Sequence, residues 1–231
     1  GWPEETNARI KATDDDGFTL VIDLPTEQLE TPVAARPLAF DFSTSLAANS
    51  EWMQTGLGDL CFVVLDTETT GMSVSDDDII QIGALRVLNR QIVPGEVFDT
   101  YVNPGRAIPA ASSRIHRIID ADIADAPDSA RAAKQLHHFA RDAVLVAHNA
   151  PFDIGMLKRL EAKIDWRWDH PVLDTVLMSA VVFGTHEDHS LDALCERLGI
   201  NIPSADRHTA LGDAKITAGA FLRLMAVLEG R

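Results

Sequence analysis

Two cysteines in 231 residues are too few for a disulfide framework. Cys195 shares an apolar helical stripe with Leu191, Leu194 and Leu198, and both it and Cys61 are expected as reduced core residues. Long apolar runs are also missing. AVLVA at 143–147 and VLMSAVVFG at 176–184 fall far short of the ~20 residues that cross a bilayer, so no membrane contact is expected of this segment. The chain has no basic-then-apolar leader and begins at Gly1 rather than Met, so its own N-terminus is expected to be missing and upstream targeting is not readable; a cytoplasmic location is expected. Internal repeats and low-complexity tracts are lacking too. What remains is globular in character: 46% hydrophobic with mean hydropathy near zero, enough for one sizeable core and an appendage.

Positive charge is scarce. Twenty Lys and Arg face 35 Asp and Glu, a formal net charge of -15, whereas nucleic-acid binders usually present a basic face. The distribution softens this. Residues 1–59 hold 11 acidic and 3 basic residues, and the remainder 24 and 17. Residues 1–57 are acid- and proline-containing with one alternating run, FTLVIDL at 18–24, and read as a leader, a linker or the tail of an upstream domain. The DDD run at 14–16 reads as a solvated turn.

From Leu60 the texture becomes that of a folded domain, taken as residues 58–231. LCFVVLD, DIIQIGALRVLN and GEVFDTYVN predict three strands of a meander. Asn89–Arg90 and the Pro94-Gly95 pair separate the latter two. A helix over DSARAAKQLHHFARD follows, then a strand at AVLVAHN and a helix from about Ala150. After PVLD come helices at TVLMSAVVF and SLDALCERLG. The last helix carries a 3-4 rhythm of Leu211, Ala214, Ala218, Phe221, Met225 and Leu228. This order predicts an α/β domain with one mixed sheet flanked by helices.

Three segments carry candidate chemistry. In FVVLDTETTG, Asp66 and Glu68 lie two apart at the end of a strand, so both side chains point one way. Like charges so placed need a cation, a shared proton or water. In HNAPFD, Asn149 suits an N-cap, Pro151 the first turn, and Asp153 falls early in the helix. In RHTALGDA, Asp213 lies on the last helix beside the small residues Gly212, Ala214 and Thr217. His208, five residues earlier, is about 140° away around a helix and is expected at or before its start. Asp66, Glu68, Asp153 and Asp213 make an all-oxygen set suited to hard cations.

LDTETTG, HNAPFD and HTALGDA, in this order, resemble the three motifs of the DEDDh exonucleases, the DnaQ-like proofreading family with a ribonuclease H-like fold. The resemblance covers about residues 59–229. It implies a ribonuclease H-like mixed five-stranded sheet and two divalent cations, Mg²⁺ or Mn²⁺, on Asp66, Glu68, Asp153 and Asp213. It also implies His208 as general base in 3′–5′ hydrolysis of phosphodiesters. Four metal-bound carboxylates would remove much of the domain's excess acidity. The same resemblance implies substrate contacts by Thr67, Thr69, His148, Asn149 and Phe152. SSRIHRI at 112–118 is similar to the family's IHGI loop, which places His116 near the terminal base, with Arg117 where a glycine is usual. Expected partners are single-stranded 3′ ends, DNA before RNA, and a DNA polymerase subunit or a fused upstream domain. The alternatives are an exoribonuclease of the same fold and a nuclease-like binding module.

Two further motifs are read as structural. HEDH at 186–189 has H-x-x-H spacing but no cysteine partners and precedes Ser190, a good N-cap, so it is read as loop decoration. Trp166 and Trp168 of WRW are read as packing residues rather than a base-stacking platform.

Overall fold

Apolar residues fill both faces of the run from Phe62 to Leu65, and the chain there is a fully buried strand, as expected at the centre of a sheet covered on both sides. The computed structural model describes residues 7–13, 17–23, 56–203 and 207–230. In chain order the strands are β1 (Asn7–Thr13), β2 (Gly17–Asp23), β3 (Phe62–Thr69), β4 (Ile79–Leu88), β5 (Gln91–Tyr101), β6 (Val144–Ala147) and β7 (Val172–Asp174). The helices are α1 (Ala110–His116), α2 (Asp120–Ile123), α3 (Ser129–Phe139), α4 (Ala150–Arg159), α5 (Glu161–Ile164), α6 (Thr175–Phe183), α7 (Leu191–Leu198) and α8 (Ala210–Leu228).

β3 to β7 form the expected mixed five-stranded sheet, in the order β5-β4-β3-β6-β7. β3, β4 and β5 run antiparallel, and β6 and β7 join parallel to β3. The fifth strand, β7, is the short VLD segment that local patterning does not mark. Alternation along β3 sends Val63 and Leu65 toward α3 and α4, where Leu136, Met156 and Leu157 close one core layer. Phe62 and Val64 face the other way, against Ala214, Ala218, Phe221 and Met225 of α8. Phe62 meets Phe221 edge-on, with ring centroids 4.9 Å apart.

Four local expectations need correction. Asn89 and Arg90 do turn the chain, both with positive φ, but Pro94 and Gly95 lie inside β5 at a register shift rather than ahead of it. A bulge and a turn share the Pro-Gly signature. Leu228 is 44% exposed, because α8 outruns the sheet it covers. Residues 18–23 of the FTLVIDL run fall in β2, which pairs antiparallel with β1, a segment that carries no alternation strong enough to mark it in the sequence. His189 of HEDH is buried rather than decorative: its ring bridges Ser179 Oγ at 2.8 Å and the Gly184 carbonyl at 3.0 Å, tying α6 to the approach of α7. The DDD run lies outside the described residues.

The WRW pair divides. Trp168 is buried while Trp166 is exposed against the His137 ring. Both cysteines are free, Cys195 buried and Cys61 half-buried, with Arg86 Nη1 donating to the Cys61 sulfur.

Candidate active site

The row of side chains on β3 that begins with Phe62 and Val64 ends in Asp66 and Glu68, so both acids point to the α8 side of the sheet. α8 supplies Asp213 beside Ala214, which with Ala218 one turn on forms the apolar seam. Gly83 of β4 lies directly opposite Asp66 in register. A Cβ there would sit 2.1 Å from the Leu211 nitrogen and 2.2 Å from the Ala210 carbonyl carbon. The start of α8 therefore rests on bare strand backbone. Gln81 Oε1 accepts the Ala210 N–H at 3.1 Å and the Thr209 hydroxyl caps Gly212 N–H, satisfying donors of the first turn.

Asp66, Glu68 and Asp213 each offer a carboxylate oxygen within 4.8 Å of the others. All three are nearly buried, at 9, 7 and 7% exposure. Three like charges so close and so shielded from water favour a cation, and an all-carboxylate donor set fits a hard divalent ion such as Mg²⁺ or Mn²⁺. The residues present fit the expected ions.

His208 precedes the helix, as expected, with φ of 61° and an exposed side chain. Its main-chain N–H donates to Asp213 Oδ2 at 3.2 Å, so histidine and carboxylate are held to one another through the backbone. Arg207 was not anticipated. Its Nη1 donates to Asp213 Oδ1, and its Nη2 lies 2.9 Å from Asp192 Oδ1 at the start of α7. These groups line a cavity of about 460 Å³ together with Thr69, Met72, His116, His148 and Asn149.

Asp153 stands apart from the trio. It is fully buried on the opposite side of β3, where its Oδ1 accepts the Thr67 hydroxyl at 2.6 Å. Thr67 is thereby turned inward with no exposed surface, and Phe152 packs in the α3 and α4 core. Neither Thr67, Phe152 nor Asp153 lines the cavity. Asn149 begins α4 with φ of 62° but without a cap bond from its own side chain. The cap comes from Asp174, which accepts Asn149 N–H at 3.0 Å, Ala150 N–H at 3.2 Å and Val176 N–H at 2.8 Å. Burial pushes the Asp174 carboxyl up to about 6, Asp153 adding to the rise and the three N–H groups opposing it. His148 is oriented by its Nδ1 contact with the Thr175 hydroxyl, 2.9 Å away.

Residues 63–221 match the family model described as exonuclease. The chain belongs to the exonuclease family. It is 54% identical over 198 residues to a DNA polymerase III subunit epsilon-like protein of Rhodobacter capsulatus, covering 85% of this chain and 28% of that protein. It is 37% identical over 171 residues to DNA polymerase III subunit epsilon of Pasteurella multocida, covering 70% and 67%. Among solved structures, exonuclease X in complex with 5′-overhanging duplex DNA superposes with a TM-score of 0.59 at 26% identity, over 72% of this chain and 92% of that one. The chain thus spans little more than a quarter of the first of these relatives.

Family membership makes Arg117 informative. It caps α1 with φ of 65°, a left-handed conformation that glycine takes freely and arginine adopts at a cost. His116, just before it, lands in the cavity wall, 4% exposed. His116 Nδ1 accepts the Ile118 N–H at 3.0 Å, which leaves the proton on Nε2. That atom has no partner among the described residues. The neighbouring turn is locked by Thr70, whose carbonyl accepts the Ser112 hydroxyl and whose own hydroxyl accepts Arg106 Nη2, both at 2.6 Å. Sequence reading missed Gly83, Gln81, Asp174, Arg207 and the Thr70 clasp, since each acts through a contact that only the packing of separate elements creates.

Proposed function

We propose that the domain is a metal-dependent 3′–5′ exonuclease that hydrolyses single-stranded nucleic acid, DNA in preference to RNA, to nucleoside 5′-monophosphates. The observation that carries this is the convergence of Asp66, Glu68 and Asp213 within 4.8 Å in a nucleotide-sized cavity, with His208 fixed beside Asp213. Asp66, Glu68 and Asp213, with Asp153 in support, would hold the divalent cations, which when bound would supply Lewis-acid stabilisation of charge developing on the phosphate oxygens. His208 takes the proton from the attacking water. Its imidazole is exposed at the cavity, where water reaches it, and a positioned imidazole is the commonest general base. Thr69, His148 and Asn149 line the space for the terminal nucleotide, and His116 Nε2–H is a donor for it. Thr67 and Phe152 contribute from behind, Thr67 by holding Asp153.

DNA is favoured because the exonuclease X structure carries DNA. A role beside a DNA polymerase is supported by the names of the relatives, and we place it in the cytoplasm. The reading is tested with 5′-labelled DNA and RNA oligonucleotides, with divalent metal and with excess chelator. A ladder shortening from the 3′ end only with metal is expected. Undiminished cleavage in chelator, or a 5′-derived mononucleotide as first product, overturns it. Binding without cleavage would favour the binding-module alternative.

A further inference from the structure

Arg207 enters the cavity between acids of two different helices. Its fork spans Asp213 of α8 and Asp192 of α7, and only 19% of its side chain is exposed. The Asp213 oxygen it holds belongs to a carboxylate that must also face Asp66 and Glu68 to bind a divalent ion. The other oxygen already takes the His208 N–H. A divalent ion in the trio therefore brings two positive charges against a guanidinium on the same carboxylate. Asp192, 66% exposed, lies outside that trio and suffers no such conflict.

We infer that Arg207 is a phosphate-contacting residue held in reserve: its guanidinium occupies Asp213 until a divalent ion displaces it, Asp192 then keeps it at the cavity wall, and its freed N–H edge binds a backbone phosphate of the 3′-terminal stretch. A planar fork can serve a carboxylate and a phosphate at once. The surrounding acidity makes the device useful, because the guanidinium edge is freed from Asp213 only when metal is bound, the state in which a phosphate has to be held. The inference rests on the exonuclease reading above.

Two titrations of the full chain test it: Mn²⁺ without nucleic acid, by calorimetry, and a single-stranded oligonucleotide in Ca²⁺ across a range of salt. Arg207→Gln should bind Mn²⁺ about tenfold more tightly, the repulsion between a unit and a double charge roughly 5 Å apart even at the dielectric constant of water. The same variant should bind the oligonucleotide more weakly, with the slope of log K against log salt reduced by about one. Arg207→Lys keeps the charge and hence the slope but cannot span two carboxylates, so its Mn²⁺ affinity should also rise, by less. If melting in chelator shows Arg207→Gln to be poorly folded, the lysine variant decides. Mn²⁺ affinity that does not rise in either folded variant, or an unchanged salt slope in Arg207→Gln, overturns the inference. A wild-type chain that takes up neither Mn²⁺ nor oligonucleotide would instead remove the exonuclease reading itself.

Discussion

Gly83→Ala is the most demanding test of how the site is built, because it changes no catalytic atom. The glycine's φ lies outside the left-handed region, so an alanine backbone is tolerated there and only space is at issue. The new Cβ would meet the Leu211 nitrogen at 2.1 Å, the Ala210 carbonyl carbon at 2.2 Å and Leu211 Cα at 2.4 Å, whereas ordinary contact begins at 3.4 Å. All three are backbone atoms and cannot rotate away. α8 must therefore retreat from β4 at its first turn by roughly 1 Å, a displacement of the size that costs on the order of 10²-fold when it separates reacting groups. Asp213 and His208 ride on that turn, while Asp66 and Glu68 stay with β3. The hydrogen bond from Ala210 to Gln81 lengthens with the same motion. Overpacking of this kind costs ~1–3 kcal/mol of stability, which a folded domain of this size survives with a melting temperature lower by several degrees. The assay is kcat/KM on a 5′-labelled oligonucleotide in Mg²⁺, alongside thermal melting and Mn²⁺ calorimetry. We expect kcat/KM to fall about 10²-fold, equivalent to ~2.7 kcal/mol, and Mn²⁺ binding to weaken in a protein that still melts cooperatively. A variant within about threefold of wild type in both would refute the idea that the bare strand at Gly83 sets the distance between the two halves of the site.

The remaining predictions concern the base, the buried acid and the leader. His208→Ala should depress turnover by roughly 10²- to 10⁴-fold while leaving oligonucleotide binding in Ca²⁺ nearly intact; parallel loss of both would make His208 a binding residue. Asp174, pushed up to about 6 from 3.8, keeps its proton in the folded chain between about pH 4 and 6, where the unfolded chain has lost it. Its contribution is therefore fully present below pH 4 and is lost as pH rises to 6, by up to about 3 kcal/mol. Asp174→Asn should flatten that part of the melting-temperature profile, and an identical slope in the variant would contradict the assignment. Shortening the chain to begin at Gly56 should preserve activity and tighten substrate binding at low salt, since the residues removed are strongly acidic. Beginning at Leu60 should lower the melting temperature, because Gly58 packs beneath the Arg90 guanidinium that is paired with Glu229. A folded but inactive Gly56 version would place the leader in the catalytic unit.

What was legible in the sequence is what depends on local periodicity. Period two puts Asp66 and Glu68 on one face whatever they meet there, and the angle per residue of a helix keeps His208 off the face of Asp213. The helices at 175–183 and 191–198 follow from their apolar rhythm and from Ser190 as a cap. The illegible part is what each group meets across the fold. Asn149 has the composition of a cap, yet Asp174, 25 residues on, does the capping, because the left-handed turn at Asn149 presents its N–H groups to the end of the neighbouring parallel strand. Thr67 is a substrate contact by family resemblance, yet the alternation that aims Asp66 and Glu68 one way sends it to the opposite face and onto Asp153. Gly83 is an unremarked glycine in a strand until α8, arriving from 127 residues away, presses its first turn against it. Arg207 shows the same rule with charge. One position before His208 it reads as an isolated cation, and only the packing of α7 beside α8 sets a second carboxylate across from the first. Chemistry in this domain is thus specified twice: residue spacing aims each group, and contacts between distant segments decide which aimed groups meet at distances where they can act.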